Sequence, residues 1–187
     1  EYVALLLDYA EDDEKFNLLS LFSKNRQAQI ISEMSSDELV DLLGTLDEDE
    51  QNEIITNMNT EEVEEVKTLL SYDPESAGGI MATEFISIKE TDTVNETINY
   101  LRTMAPDSET PYYIYVVHDL DVLKGVVPLR QIIVSTPDTL IKDIMIENII
   151  SAPVDMDQEE GSHIFEKYGF MAIPVVDHNG EILGIIT

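Results

Sequence analysis

Residues that can cap a helix recur at a fixed interval in the first part of the chain. They are Ser23, Ser35, Asp47, Asn59 and Ser71, and each step is the same (35−23 = 47−35 = 59−47 = 71−59 = 12). A unit this short holds one helix of about two turns, which is not stable alone. The interval therefore predicts a superhelix of short helices that bury their apolar faces against one another, with two helices per turn of the array.

Glutamate follows three positions after each of the middle three capping residues, at Glu38, Glu50 and Glu62. This spacing predicts capping boxes, in which two side chains satisfy backbone N–H groups at the start of a helix. Apolar residues also hold matched places in the units, which predicts two rows facing a core: Ile30, Leu42, Ile54 and Val66, and Met34, Leu46, Met58 and Leu70. The array is expected to end at Asp73-Pro74, because proline disfavours helix.

The rest of the chain contains two copies of a second unit. Ile80-Met81 matches Ile144-Met145, and Gly125 matches Gly184. Each copy has the pattern of a short strand, a capped helix, a buried strand, a turn and a second strand, with a final helix near Leu129 to Val134 in the first copy. The predicted fold class is α+β and multidomain. Its parts are an all-α domain over 1–72, a linker over 73–79 in which Ala77-Gly78-Gly79 is a hinge or linker segment, α/β modules over 80–134 and 144–187, and a linker over 135–143.

The charge restricts the partners. With 39 acidic and 10 basic side chains the formal net charge is −29, so a nucleic acid is repelled and a cation is the first ligand to consider. The absence of cysteine excludes disulfides and thiolate metal sites. No apolar run approaches the length of a membrane span, so the chain is expected to be soluble and without a targeting signal. The three histidines are scattered, which argues against an enzyme.

The β-α-β-β-α pattern, which opens with Ile-Met and is centred on Val-Val followed by Leu-x-Gly-Val/Ile, resembles the CBS (cystathionine-β-synthase) domain. The segment from Tyr72 to Met81 resembles the junction of MgtE-type magnesium transporters, where an acidic helical domain meets a CBS pair. That resemblance implies the regulatory region of a homodimer, placed at the cytoplasmic face of the cell membrane, whose own transmembrane domain lies beyond Thr187. It also implies Mg²⁺ ions bound between the helical domain and the CBS pair, which close the pore.

The resemblance also implies magnesium contacts at Asp37 and Asp41, and at Asp157 and Glu159, with a backbone contact at Glu166. Asp37 and Asp41 are four apart and share a helix face; the residues alone favour a solvated acidic face, and the resemblance favours the magnesium contact. Asp157 can cap a helix, with Glu160 as its capping-box partner and Glu159 left as a magnesium candidate. Gly169 replaces an acid found in relatives, which predicts a weakened site.

Two other functions remain open. Many CBS pairs bind adenine nucleotides, and ATP is the second ligand to consider here. Pro128 and Gln131 replace the hydroxyl and the acid that read ribose, whereas Arg130 can pair with phosphate. The alternative to magnesium sensing is therefore a nucleotide-sensing module. A third possibility is a scaffold whose acidic helices bind a basic protein.

Overall fold

The computed structural model describes residues 2–7, 9–10, 12–56, 58–104, 110 and 112–187. The chain divides into two compact units, Glu1–Pro74 and Glu75–Thr187. In the first unit, α4 packs against α2 and α6, and α1 packs against α3, as expected for two helices per turn. The helices are α1 (Tyr2–Leu7), α2 (Asp12–Ser20), α3 (Lys24–Ile31), α4 (Ser36–Gly44), α5 (Glu48–Ile55) and α6 (Thr60–Leu69).

The predicted rows of apolar residues form the core of the helical unit. One row is fully buried, and the members of the other are buried or partly buried against the same cluster. Four of the five predicted caps directly precede a helix: Ser23, Ser35, Asp47 and Asn59. Ser71 instead lies in a turn after α6.

Two of the three predicted capping boxes form. The Asp47 carboxylate accepts the Glu50 N–H at 2.9 Å, and the Asn59 side chain accepts the Glu62 N–H at 3.0 Å; each glutamate returns a bond to the cap backbone. The prediction at Ser35 is wrong, since its side chain makes no capping bond.

The Glu38 carboxylate binds a different partner, on α2. It accepts a hydrogen bond from the Lys15 ammonium at 2.5 Å, and the Lys15 residue is only 3% exposed. A buried ammonium needs a charged partner more than a helix start needs a second cap, because an unpaired buried charge costs several kcal/mol. The pair joins α2 to α4 across 23 residues of sequence.

The second unit contains two three-stranded sheets of the same topology. In each sheet the first strand pairs parallel with the second, and the second pairs antiparallel with the third. The order of elements is as predicted: β1 (Ser87–Lys89), α7 (Val94–Met104), β2 (Tyr113–Val117), β3 (Leu123–Pro128), α8 (Leu129–Val134), β4 (Ala152–Pro153), α9 (Gln158–Tyr168), β5 (Ile173–Val176) and β6 (Ile182–Ile186).

Each module receives an extra backbone pair from the opening segment of the other. Ala82, at the start of the first module, pairs with Ile185 in β6 of the second. Ile146, at the start of the second module, pairs with Val126 in β3 of the first. Side chains from both modules also share one buried cluster, which includes Tyr115 and Ile182. The two modules therefore form one packed body.

The unit boundary at Pro74 falls inside the predicted linker over 73–79, but Ala77, Gly78 and Gly79 are buried in the second unit. The prediction of a hinge at these three residues is therefore wrong. The predicted linker over 135–143 is also bonded along its length, since Ile141 donates its N–H to Asp92 at 2.9 Å. Both segments pair with the start of a helix, which a sequence pattern of turn residues does not reveal.

Candidate functional site

The first turn of α9 carries two of the predicted magnesium acids. Asp157 is the N-cap, and its carboxylate accepts the Glu159 N–H at 2.8 Å. Both side chains are exposed, where the partial positive charge of a helix N-terminus favours carboxylates. The assignment of Glu160 to a capping box is wrong: unlike Glu96 at the equivalent place in α7, Glu160 returns no bond to the cap.

The other predicted pair lies on α4. Asp37 is half-buried, and its carboxylate accepts the Glu38 N–H at 2.9 Å. Asp41 lies one turn further along the same helix and is exposed. Residues four apart on a helix are neighbours on its surface, so these two acids share one face.

Glu166 lies at the far end of α9, separated from Asp157 by about 13 Å along the helix axis. Its side chain is exposed, 3.8 Å from His163 one turn earlier. The structure therefore does not bring the Glu166 carboxylate together with Asp157. Gly169 ends α9 in the left-handed conformation with φ 66°, where glycine is favoured over an acid.

No group of three or more Asp, Glu, His or Cys side chains close enough to hold a metal is found among the described residues. Magnesium retains most of its water and is commonly held by one or two carboxylates. The exposed carboxylates of Asp157 and Glu159 fit such a hydrated ion in type, as do those of half-buried Asp37 and exposed Asp41. Among the residues that the structure describes, these carboxylates form no closed cage within either unit.

The modules enclose an apolar pocket of about 290 Å³ between them. Its walls come from β2 and β3 of the first module and from the opening segment and β5 region of the second. The lining residues are Tyr113, Tyr115, Val126, Pro128, Ile146, Asn148, Ile149, Ile150, Phe170, Ala172 and Pro174. A pocket with mostly apolar walls and few polar groups suits a flat aromatic ring.

Tyr115 forms part of the pocket wall, and Phe85 contacts its ring edge-on at 6.0 Å between centroids. Its hydroxyl is buried and has no hydrogen-bond partner among the described residues. Burial, and to a smaller degree Tyr113, raises the pKa of Tyr115 above its ordinary value, so the hydroxyl stays protonated. Neither Tyr115 nor Phe170 is a candidate from the sequence, although an aromatic residue in or next to a strand is a signal for the wall of such a pocket.

Arg130 lines a neighbouring, more open cavity of about 420 Å³. The two cavities share Tyr113 and Pro128 in their walls. The Arg130 side chain is exposed at the start of α8. An exposed guanidinium next to an apolar pocket is placed to pair with an anionic group on a ligand whose ring occupies that pocket.

None of the helices in the described part of the chain has the length and apolarity that a bilayer crossing requires. The histidines lie apart, as predicted: His163 is on α9, and His118 is at the end of β2, where its Nδ1 lies 2.7 Å from the Glu90 carboxylate.

Family models match both parts of the chain. A model described as the MgtE intracellular N domain matches residues 1–75, and one described as the CBS domain matches residues 141–187. The chain is 43% identical over 123 residues to the magnesium transporter MgtE of Thermus thermophilus, a match that covers 66% of this chain. It spans only 27% of the length of that relative.

Two solved structures superpose on almost the whole chain. The cytosolic domain of the Mg²⁺ channel MgtE in complex with ATP has a TM-score of 0.94 and 35% identity, and the match covers 98% of this chain and 75% of that one. The soluble part of a magnesium transporter also has a TM-score of 0.94, with 39% identity, 100% coverage of this chain and 73% of the other.

A helical array followed by a tandem pair of these modules defines a CBS-pair protein of the kind attached to membrane transporters. The match extends through the array as well as the pair. The chain belongs to the MgtE family, and it corresponds to the cytosolic region of these transporters.

Proposed function

We propose that this chain is the magnesium-sensing regulatory region of a magnesium transporter or channel and has no catalysis of its own. The observation that carries the proposal is its membership of the MgtE family, together with the carboxylates at the predicted positions of α4 and α9, which are exposed except for half-buried Asp37. Mg²⁺ bridges Asp37 and Asp41 of the helical unit to Asp157 and Glu159 of the CBS pair. The bridged form closes the pore of the transporter's own transmembrane domain.

The net charge of −29 supplies the driving force for such a switch. Without a divalent ion, two acidic units repel each other within the screening distance of the solvent, about 8 Å at physiological salt. Ions that bind both units favour the form in which they are close. The coupling is reciprocal, so the free energy that magnesium gains in the bridged form is also available to bias the pore.

Small-angle scattering during a magnesium titration tests this proposal, with monovalent salt at equal ionic strength as the control. We expect the radius of gyration to fall as Mg²⁺ binds and to recover with chelator. The double variant Asp157→Asn and Glu159→Gln is expected to shift the midpoint to higher Mg²⁺, while asparagine preserves the helix cap. The matched control neutralises exposed acids elsewhere in the CBS pair, Asp138→Asn and Glu147→Gln. A constant radius in the wild type contradicts the proposal.

The CBS pair also supports a homodimer. Exposed apolar side chains lie on α7 and α8, and on α8 Ile133 is 68% exposed and Val134 is 66% exposed. Adjacent large apolar side chains at this exposure are typical of a protein interface. Sedimentation equilibrium is expected to show a dimer that Ile133→Asp converts to a monomer. A monomeric wild type at tens of micromolar contradicts this assignment.

A second candidate function is adenine-nucleotide binding, which the apolar pocket and the neighbouring Arg130 support. The matched MgtE cytosolic domain was solved in complex with ATP. The base occupies the pocket beside Phe170, and Arg130 pairs with phosphate. Calorimetry with ATP is expected to show binding that Phe170→Ala abolishes and Arg130→Ala weakens, whereas Tyr9→Ala in the helical unit has no effect. Absence of heat with the wild type removes this candidate.

A further inference from the structure

The chain that leaves the helical unit is bonded directly to the start of α9. Ala77 donates its N–H to the Met156 carbonyl at 2.7 Å, and Gly78 donates to the Val154 carbonyl at 2.8 Å. In the other direction, the Gln158 N–H donates to the Glu75 carbonyl at 2.8 Å. We call residues 75–82 the strap. Its first half thus runs antiparallel to residues 154–158.

The second half of the strap is anchored at the opposite side of the same module. Ala82 exchanges two backbone hydrogen bonds with Ile185 in β6, both at 2.8 Å. Between the two anchors, Ser76 to Gly79 are buried, whereas Asp73 to Glu75 are exposed. Gly78 and Gly79 are therefore held inside the second module. The exposed part of the connection from the helical unit is Asp73 to Glu75, which precedes them in the chain.

The arrangement recurs 64 residues later in the first module. The Val94 N–H donates to the Thr139 carbonyl, the Ile141 N–H to Asp92, and the Lys142 N–H to Glu90, at 2.9, 2.9 and 3.1 Å. Thr139, Ile141 and Lys142 correspond to Glu75, Ala77 and Gly78 of the strap, and each lies 64 positions later in the chain (139−75, 141−77, 142−78). Val94 at the start of α7 corresponds to Gln158 in α9 with the same offset (158−94). The same three backbone hydrogen bonds thus occur twice, each time at the first turn of a helix. The pairing is therefore a feature of the module.

The helix turn that the strap holds is the one that carries Asp157 and Glu159. Gln158, whose N–H binds the strap, lies between them, and Ser76 forms a bridge with Asp157 itself. We propose that the strap is a coupling and positioning element: it holds the first turn of α9, and with it Asp157 and Glu159, in a place set by the chain arriving from the helical unit.

Any displacement of the helical unit that passes the exposed residues Asp73 to Glu75 therefore reaches the α9 turn through a bonded path and is not absorbed at Gly78-Gly79. The inference rests on the proposed magnesium function in one respect, namely that the acids of this turn contact the ion. Because coupling is reciprocal, magnesium that binds Asp157 and Glu159 must also tighten the strap. Ala77, Gly78 and Glu75 are positioning residues, since they act on the ion only through α9.

Amide exchange resolved by NMR, recorded alongside a magnesium titration, tests the strap. Gly78→Pro removes the N–H that binds Val154 and leaves that carbonyl without its donor. The Gln158 amide is expected to exchange at least about fivefold faster, the factor that corresponds to about 1 kcal/mol, the lower end of the cost of a lost buried hydrogen bond. The Mg²⁺ concentration at the midpoint of the α9 chemical-shift changes is expected to rise several-fold.

The matched control is Lys142→Pro, which removes the equivalent N–H in the first module. It is expected to speed exchange at Val94 and to leave both the Gln158 amide and the magnesium midpoint at α9 unchanged. Equal effects of the two variants on the magnesium midpoint would overturn the proposal, because they would indicate general destabilisation. An unchanged Gln158 amide in Gly78→Pro would overturn it as well.

The wild type provides a test that does not depend on whether Gly78→Pro folds. Saturating Mg²⁺ is expected to slow exchange at the Ala77 and Gly78 amides together with Gln158. Magnesium-dependent shifts at α9 without slower exchange in the strap would overturn the coupling and leave the sensor function standing. Absence of any magnesium response at α9 would remove the ion from this turn, and the coupling inference would fall with it.

Discussion

Ala82 and Ile185 exchange both backbone hydrogen bonds at 2.8 Å, although they lie in the opening segment of one module and the last strand of the other. This close approach depends on Gly184. A Cβ atom at position 184 would lie 2.7 Å from the Ala82 carbonyl oxygen and 2.8 Å from the Met81 sulfur. The backbone oxygen cannot rotate away as a side chain can, so residue 184 must be glycine for the two modules to join here.

We therefore expect Gly184→Ala to destabilise the CBS pair by about 1–3 kcal/mol, the usual cost of overpacking a core. The matched control is Gly125→Ala at the equivalent position, where the three nearest atoms to the added Cβ all belong to the flexible Met145 side chain, with its sulfur at 2.8 Å. Its cost is expected to be smaller. Urea unfolding followed by tyrosine fluorescence measures both, and equal losses would contradict the steric argument.

The helix caps of the first unit differ in their expected contribution to stability. Asp47→Ala and Asn59→Ala each remove a bonded cap and are expected to cost about 1 kcal/mol. Ser35→Ala removes a side chain that makes no capping bond, so its effect should be a few tenths of a kcal/mol. Urea unfolding followed by circular dichroism distinguishes them. A Ser35 variant as unstable as the other two would show that its hydroxyl caps α4 in solution.

The Lys15–Glu38 pair is expected to show an asymmetry between its two partners. Glu38→Gln leaves a buried ammonium with a weaker partner and is expected to cost about 1–3 kcal/mol. Lys15→Met fills the same space without a charge and is expected to cost less, because it removes the burial of the ammonium and the remaining Glu38 side chain, 26% exposed, can be hydrated. Thermal unfolding of the two single variants measures the difference. A Lys15→Met variant less stable than Glu38→Gln would contradict it.

The capping box at the start of α7 predicts a pH dependence. Hydrogen bonds from the Thr93 hydroxyl, and then from its backbone N–H, lower the pKa of Glu96. A carboxyl whose pKa is lowered by folding stabilises the protein above its unfolded pKa, about 4.3, and loses that contribution as pH falls through the folded value. Glu96→Gln is therefore expected to be less stable than the wild type at neutral pH, with a gap that closes in acid.

Glu160→Gln is the control for the loss of the reciprocal bond, since Glu160 occupies the equivalent place in α9 and forms no such bond. We expect it to cost less stability than Glu96→Gln at neutral pH. Urea midpoints recorded from pH 7 into acid compare the two variants. A Glu96→Gln gap that persists below the folded pKa would mean that the charge of Glu96 is not the cause.

The elements of this fold could be predicted from sequence because they depend on local periodicity. The interval of 12 located four helix starts, and the second repeat gave the correct order of strands and helices in each module. The capping box at Ser35 was misjudged because the Glu38 N–H bonds the Asp37 carboxylate, and the Glu38 carboxylate bonds the buried Lys15, 23 residues earlier. That contact depends on tertiary packing, which no spacing rule contains.

For the candidate site, the sequence predicted individual residues and the helix faces they share, but not the pocket that strands of two modules form together. Asp37 and Asp41 do share α4, and Asp157 and Glu159 share the first turn of α9, as helical spacing requires. Magnesium contacts at these positions remain predictions. The apolar pocket could not be predicted, because Tyr115 and Phe170 meet only when strands of two modules are folded together. The glycine pair was misread as a hinge, since sequence alone does not show that a segment is bonded along its edge.

The exchange of opening segments between the modules means that neither module is complete alone. Without its neighbour, β3 would lose the backbone pair between Val126 and Ile146, and β6 would lose the pair between Ile185 and Ala82. Separating the modules would therefore leave backbone polar groups without partners as well as expose apolar surface, so each module depends on the other for its stability.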